Sequence, residues 1–293
     1  MKNRLYVIVV LAMFQWTCAD KAEIEPNAPK FKVSFAVSGV NYLGDKVSSI
    51  TKAQSATGAK VFDWVEYLYL FIYNSEGNLV RQFHRWSGLG QVMLASELEE
   101  GDYTAVAVGH TESSVWDVDK LSTANISNHY PGPVFVDKVA FKVGASETDV
   151  VNLLLKRKVG MLEIDITDEP THDTYYVRVT MSSMASNYSF HASMPLRNDG
   201  SFLWQFYPQP NTASYVDLTA YFFVPQNSTS YKTSVLMEVY SVSGVMLKSQ
   251  KIDNVSIGMN MKTTIRGKLY DTLEQNFTVE LEDNWIGEEI IEF

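Results

Sequence analysis

The amino-acid sequence predicts an all-β protein made of two tandem antiparallel β-sandwich domains. Apolar and polar residues alternate along many short segments, and turn-forming residues recur at intervals of about 8–12 residues, as is typical of sandwiches. Aromatic residues make up 13% of the chain, including 16 Tyr and 15 Phe, and they favour strands over helices. Because the chain has 293 residues, 46% of them hydrophobic, it is long enough for roughly two domains with substantial cores.

The N-terminal segment has the pattern of a secretory signal peptide. Two basic residues precede an apolar run at residues 5–14, which is too short to span a bilayer as a mature helix. Cys18 is the only cysteine in the sequence, and it follows this run as the lipid-acceptor cysteine does in a bacterial lipobox. Residues 15–17 differ from the usual leucine and small residues of that motif. We expect a signal peptide over residues 1–17, lipidation of Cys18 and no intrachain disulfide.

A tether and the first strand follow the cysteine. Residues 18–30 are polar, acidic and contain Pro26 and Pro29, so we expect a flexible segment that holds a folded body away from a membrane. Apolar residues then occupy alternate positions over residues 31–37 and predict a strand. Residues 41–60 have no apolar period and are rich in small and polar residues, so we expect a loop there.

The strongest strand signal lies at residues 65–73, where both alternating sets of side chains are largely apolar or aromatic. A strand with two such faces is expected to be covered on both sides, and Leu70 is expected to be fully buried. The next five residues have turn chemistry, since Gly77 and Asn78 are both able to take positive φ. A returning strand then completes a hairpin.

The rest of the N-terminal half contains a turn, further strands and one long loop. Residues 98–103 form a second tight turn, after which the alternation resumes in another strand. Residues 111–133 are predicted as a long loop, either functional or merely irregular, with room for one helical turn. Strands are predicted at residues 134–143 and 148–155, and the basic residues 156–158 are predicted to form a solvated linker.

The strand pattern divides the folded part into an N-terminal sandwich over residues 31–156 and a C-terminal sandwich over residues 157–293. In the first strand of the second sandwich, Glu163 and Asp165 alternate with aliphatic residues and are expected to face water. Residues 175–181 are expected to be the hairpin partner of that strand. Further strands are predicted at residues 202–207, 216–224, 235–241, 244–251, 259–269 and 276–282, with a hairpin turn at Ser243-Gly244.

The composition and motifs argue against nucleic-acid binding and catalysis. The net charge is -10 and no run of Lys or Arg is longer than the three residues 156–158, whereas phosphate binding needs a clustered basic face. None of the five histidines lies at metal-ligand spacing from another, and motifs of metalloproteases, esterases and nucleotide-binding loops are lacking in the sequence. We predict no catalytic residue, no cofactor and no metal, so an enzyme is the least favoured function.

Two sets of side chains have a functional interpretation beside a structural one. Four acidic residues could surround Ca²⁺, although a solvated acidic turn is the favoured interpretation. They are Asp165, Asp168, Glu169 and Asp173. Five tryptophans could stack on sugar rings, although such residues more often belong to a core. They are Trp64, Trp86, Trp116, Trp204 and Trp285. Only Trp116 lies in a predicted loop, so it is the candidate for the alternative function, a glycan-binding surface lipoprotein.

Several stretches match a known family in their order and spacing. They are VEYLYLFIY at 65–73 followed by GNLV at 77–80, LEEGDYTAVA at 98–107, RKVGML at 157–162, and NFTVEL at 276–281 with DNW at 283–285. In these stretches the chain resembles the fimbrillin superfamily of Bacteroidetes, and within it the FimB-type minor subunits. The resemblance implies transthyretin-like sandwiches and a lipoprotein at the cell outer membrane that serves surface fimbriae as an anchor or accessory subunit. The implied partners are other fimbrial subunits, through β-strand exchange, and the outer membrane, through the lipid on Cys18.

The resemblance also implies a way to tell an anchor from a polymerising subunit. In related stalk subunits, an Arg-specific protease removes the N-terminal segment with its first strand, and the opened groove accepts a strand from the next subunit. No arginine occurs between Arg4 and Arg81 in this chain, although Lys46, Lys52 and Lys60 leave a Lys-specific cut open. We therefore expect the first strand to stay attached.

Overall fold

The computed structural model describes residues 29–38, 65–86, 92–111, 115–127, 132–144, 150–182, 185, 187–196, 202–208, 216–224, 230–270 and 277–283. Every regular secondary-structure element assigned within these ranges is a β-strand, which confirms the predicted all-β class. The first ten are β1 (Lys30–Ser38), β2 (Tyr67–Asn74), β3 (Leu79–Trp86), β4 (Val92–Glu99), β5 (Gly101–His110), β6 (Val115–Trp116), β7 (Asn125–Ser127), β8 (Val134–Val143), β9 (Val150–Leu154) and β10 (Lys156–Arg157). The next ten are β11 (Val159–Ile166), β12 (Tyr176–Met181), β13 (Asn187–Ser189), β14 (Met194–Leu196), β15 (Phe202–Phe206), β16 (Val216–Phe223), β17 (Ser230–Tyr240), β18 (Met246–Gly258), β19 (Met261–Gly267) and β20 (Phe277–Asp283).

Two sheets enclose the first hydrophobic core. Their strand orders are β4-β1-β9 and β10-β8-β5-β2-β3. Phe35 of β1 and Leu153 of β9 reach this core from one sheet, and Leu70 of β2 reaches it from the other. Leu70 is fully buried as predicted, and five of the eight residues of β2 are buried, because both faces of this strand are covered.

Two further sheets enclose the second core. Their strand orders are β16-β11-β19-β20 and β15-β12-β17-β18. Ile164 of β11 and Ile265 of β19 face Val179 of β12 and Met237 of β17 across this core. The alternation read from the sequence therefore places one apolar row of each strand between paired sheets, as in a β-sandwich.

A third core lies against the outer side of the five-stranded sheet. Phe71 and Val106 from that sheet pack with Ile126 of β7, Tyr188 of β13 and Phe223 of β16. Strands β6 and β7 lie within the segment predicted as an irregular loop, so that prediction is wrong over these residues. They pair in the small sheet β14-β13-β7-β6, which combines strands from both sides of the boundary predicted after residue 156.

The turn after β2 uses one of the two residues that were expected to tolerate positive φ. Gly77 has φ of 78°, whereas Asn78 is not among the residues with positive φ. The carbonyl of Asn78 already accepts a hydrogen bond from the N–H of Asn74 at 3.0 Å, and its own N–H donates to Asn74 Oδ1 at 2.9 Å. These bonds close the turn with a single left-handed residue.

Strand β12 is not the hairpin partner of β11, contrary to the prediction. β11 pairs with β16 in antiparallel and with β19 in parallel orientation, whereas β12 lies in the facing sheet between β15 and β17. Asp168, just after β11, accepts hydrogen bonds from the N–H groups of Leu269 and Tyr270, each at 2.7 Å. This carboxylate holds the connection to the end of β19, so the chain crosses to the other sheet instead of folding back.

Two charged side chains are buried where the sequence predicts exposure. Asp165 is only 7% exposed, and its Oδ2 accepts a hydrogen bond from Arg266 Nε at 2.5 Å on the neighbouring strand β19. Arg157, in the segment predicted as a solvated linker, is 4% exposed, with its guanidinium 5.3 Å from the centre of the Phe135 ring. Both charges are tolerated inside because an opposite charge or an aromatic face compensates for lost water.

Candidate functional site: the N-terminal strand and its groove

The N-terminal strand β1 lies in the middle of a three-stranded sheet. It runs antiparallel to β4, from Lys30 opposite Glu99 to Val37 opposite Val92. On its other side it runs parallel to β9. A strand in this position uses the backbone N–H and C=O groups on both of its edges, so it fills a groove between β4 and β9. We call this space the N-terminal strand groove.

Alternate side chains of β1 fill the floor of this groove. Val33, Phe35 and Val37 are all buried, with Phe35 and Val37 at 0% exposure. The Phe35 ring packs edge-on against Phe141, with ring centres 5.5 Å apart and planes at 81°. Lys32, one residue before Val33, is exposed. The period of two in the sequence thus places one row of β1 in the first core and leaves charge on the other face.

The end of β1 is held by hydrogen bonds to the end of β9 and to the residue that follows it. The N–H of Leu155 donates to the carbonyl of Ser38 at 3.2 Å, and Ser38 Oγ donates to the carbonyl of Leu153 at 3.4 Å. Leu94 on β4 and Leu153 on β9 are buried against the side chains of β1. Detaching β1 would therefore uncover an apolar groove with an unpaired strand edge on each side.

Three predictions from the sequence fall outside the described residues. They are the lipidation of Cys18, the tether up to residue 28 and the predicted loop at 41–60. No helix in the described ranges is long and apolar enough to cross a membrane.

The acidic residues considered as a Ca²⁺ site do not converge. Asp165 pairs with Arg266, and Asp168 accepts backbone N–H groups at the end of β19. Glu169 and Asp173 are exposed. In the part of the chain that the structure describes, no three His, Cys, Asp or Glu side chains are grouped as metal ligands would be.

Two histidines meet across strands in an aromatic ladder that sequence spacing does not reveal. The Tyr69 ring lies 4.2 Å from that of His84 and 5.6 Å from that of His110, nearly parallel to both. Burial, and to a smaller extent the nearby His84, lowers the pKa of His110 to about 4. Burial also lowers the pKa of His84, so the ladder is uncharged at neutral pH. Of the other histidines, His172 and His191 are exposed and His129 lies outside the described residues.

The structure describes the side chain of one of the five tryptophans considered for sugar stacking. Trp204 is half-buried and packs against the second core. Trp116 lies in strand β6 and not in a loop, and its side chain, like that of Trp86, is outside the described part of the chain. Trp64 and Trp285 also lie outside it.

Comparison with protein families gives one match that covers most of the chain. The family is described as fimbrillin-A associated anchor proteins Mfa1 and Mfa2, and its model matches residues 25–278. No curated protein sequence matches the chain.

Several solved structures share this fold. A candidate polysaccharide-binding protein from Bacteroides thetaiotaomicron is 12% identical, with a TM-score of 0.51, over 86% of this chain and 98% of that chain. A candidate adhesin from the same organism is 12% identical, with a TM-score of 0.50, over 88% and 99% of the two chains. A candidate cell adhesion protein from Bacteroides ovatus is also 12% identical, with a TM-score of 0.50, over 89% and 100%. At these identities the likeness shows a common fold alone.

Proposed function

The chain belongs to the family of fimbrillin-A associated anchor proteins, and from this premise we propose that it is an outer-membrane lipoprotein that ends a fimbria at the cell surface. The family establishes a fimbria-associated surface protein, in agreement with the resemblance read from the sequence. The proposal adds three points. The protein is held in the membrane by a lipid on Cys18, it keeps its first strand, and it joins the neighbouring subunit by β-strand complementation at one end only.

The observation that carries the proposal is the position of β1 together with the distribution of arginines. β1 is paired on both edges, and its apolar row fills the first core. An Arg-specific cut between β1 and β2 would release this strand, but the chain has no arginine from residue 5 to residue 80. The N-terminal strand groove therefore stays filled by the chain's own strand.

A filled groove limits how the protein joins a polymer. A subunit that accepts a strand from a partner needs an open edge whose backbone groups and apolar pockets that strand completes. Here β1 already supplies those bonds and side chains, including Phe35 at 0% exposure. The lipid, attached ahead of β1, also stays with the folded body. Such a subunit ends a polymer at the membrane but does not extend it from this groove.

We expect the protein isolated from outer membranes to begin at Cys18. Intact mass and N-terminal peptide mapping should find a lipid-modified Cys18 and peptides that cover β1. As a control, Lys52→Arg places an arginine in the segment between β1 and β2, and it should yield a cut product wherever an Arg-specific protease has access. A mature terminus between residues 47 and 61 in the unaltered chain would contradict the anchor and favour a stalk or tip subunit.

The lipid itself is tested by Cys18→Ser. Because the thiol is the acceptor, this variant should move from the membrane fraction to the soluble periplasmic fraction, whereas Thr17→Ser, which keeps the thiol, should stay in the membrane fraction. The measurement is immunoblotting of both fractions after carbonate washing. Equal membrane retention of the Cys18→Ser variant would rule out a lipid anchor at this position.

A further inference from the structure

The outer face of the sheet β15-β12-β17-β18 carries a row of tyrosines. Tyr176 on β12 lies opposite Tyr240 on β17, and their rings stack with centres 4.7 Å apart. Tyr207 follows the last residue of β15 and lies on the other side of Tyr176, with ring centres 6.1 Å apart. Inward residues of the same strands, including Val177 and Val239, belong to the second core, so this tyrosine row faces outward.

At the end of this row, two tyrosines form an exposed corner. The rings of Tyr175 and Tyr207 lie 5.4 Å apart with their planes at 72°. Tyr175 is 48% exposed and Tyr207 is 54% exposed. The corner is held in place from behind, because Tyr176 contacts both rings and the N–H of Tyr175 donates to the carbonyl of Tyr240 at 2.7 Å. We call Tyr175 and Tyr207 the aromatic corner.

A row of polar side chains runs beside the tyrosines on the same face. Arg178 lies opposite both Gln205 and Glu238 in the strand register. Arg178 Nε donates to Glu238 Oε2 at 2.8 Å, and the guanidinium also contacts the Tyr240 hydroxyl. Gln205 Nε2 donates to the Tyr207 hydroxyl at 2.7 Å. These bonds orient the polar groups in advance, while the Arg178 side chain stays 34% exposed and that of Glu238 14% exposed.

The chemistry of this face selects a class of ligand. Exposed aromatic rings offer apolar surface, and the hydroxyl and amide groups at their edges exchange hydrogen bonds with polar ligands. Arg178 and Glu238 neutralise each other, so the polar row offers both donors and acceptors without net charge. A pyranose has a matching surface, with C–H bonds on one side of the ring and uncharged hydroxyl groups around its edge.

We propose that the aromatic corner and the adjoining polar row form a binding site for a neutral saccharide. One sugar ring stacks on Tyr207 with Tyr175 at its side, and its hydroxyl groups reach Gln205 and the Arg178–Glu238 pair. This activity is separate from anchoring and does not depend on it. The charge balance of the polar row favours a neutral sugar over an acidic one, because an acidic group would have to compete with Glu238 for Arg178.

The test uses the full-length protein in mild detergent and affinity electrophoresis in native gels. The gels contain one neutral polysaccharide each, namely β-glucan, mannan, xylan or galactan, and a further gel contains polygalacturonate as an acidic polymer. At least one neutral polymer should retard the protein, and Tyr207→Ala and Tyr175→Ala should each weaken the retardation about tenfold in apparent dissociation constant, equivalent to the 1.4 kcal/mol of a strong aromatic contact. Tyr207→Trp should retain binding, since it keeps a stacking surface.

Two exposed apolar positions serve as matched controls. Leu203 is 57% exposed on the same strand as Gln205, and Val242 is 79% exposed at the tip of the β17–β18 hairpin. Leu203→Ala and Val242→Ala should bind the polysaccharide as the unaltered chain does, and near-ultraviolet circular dichroism should show that all variants are folded. If Tyr175→Ala does not fold, Gln205→Ala replaces it, with the same expected loss.

The proposal is overturned if none of the four neutral polymers retards the protein. Unchanged retardation of the folded Tyr207→Ala variant would overturn it as well. Retardation by polygalacturonate alone would also overturn it, because it would show binding by charge. Equal loss with Val242→Ala would indicate that a broad apolar surface, suited to a protein partner, is responsible and would exclude the saccharide site. None of these outcomes bears on the N-terminus or the lipid of the proposed anchor.

Discussion

Replacing Phe35 by alanine is expected to lower the free energy of unfolding by about 3–5 kcal/mol, the range for a buried phenylalanine truncated in a core. Phe35 is at 0% exposure in the middle strand of its sheet, and its ring packs against Phe141. The neighbouring strands are paired with β1 over most of its length, so they have little freedom to close the cavity. Urea denaturation of the Cys18→Ser chain, followed by tryptophan fluorescence, measures the change.

A control for Phe35→Ala lies on the same strand. Lys32 is exposed on the opposite face of β1, and Lys32→Ala should change the free energy of unfolding by no more than about 0.5 kcal/mol. A loss below about 1 kcal/mol for Phe35→Ala would mean that β1 contributes little to the first core. The proposed anchor would then lose the physical reason for keeping this strand.

Gly160→Ala is the second substitution with a large expected effect. A Cβ atom added to Gly160 would lie 2.2 Å from the carbonyl oxygen of Gly258, where β11 crosses β18. A backbone oxygen cannot move aside by a change of rotamer, so the two strands would have to separate. We expect a loss of about 3 kcal/mol in the free energy of unfolding, the upper end of the usual cost of overpacking.

Gly258 gives the matched comparison for Gly160. A Cβ atom added to Gly258 would meet the sulfur of Met261 at 1.8 Å, which is the flexible end of a side chain. Since Met261 is only partly buried, its side chain has other positions available. Gly258→Ala should therefore cost less than Gly160→Ala under the same denaturation conditions. Equal losses would show that the close approach of the two backbones is not the reason for glycine at position 160.

The strands were predictable wherever their signal is local. The strand at Val134–Val143 has the predicted bounds, and Gly244, with φ of 77°, lies in the predicted hairpin turn between β17 and β18. Alternation identified Leu70 as a core residue, because a period of two assigns side chains to faces without knowledge of the partner strand.

The pairing of strands and the burial of charged side chains could not be predicted from local patterns, because both depend on residues far along the chain. Asp165 is buried only because Arg266, 101 residues later, lies on the adjacent parallel strand. The pairing of β12 with β15 and β17, and not with β11, likewise depends on distant segments. Strands β6 and β7 are too short to show a period, and they form by pairing, β7 with β13 and β6 with β7.

The aromatic corner was missed for a related reason. Tyr175 and Tyr176 are visible as a pair at the start of a predicted strand, but their neighbours Tyr207 and Tyr240 come from two other strands. The tryptophans considered for sugar stacking did not indicate this face, since Trp204 is turned toward the core. A useful signal would have been the occurrence of tyrosine at three strand ends that pair in one sheet.

The central place of β1 in its sheet has a consequence for folding kinetics. Its antiparallel partner begins at residue 92 and its parallel partner at residue 150, and Ser38 bonds to Leu153 across 115 residues. Contacts this distant in sequence raise the contact order and close only after a large loss of chain entropy. During N-terminus-first export, β1 therefore emerges long before either partner, with its apolar row exposed to chaperones and to other chains. A strand that is paired on both edges in the finished protein is thus among the last to find its place in it.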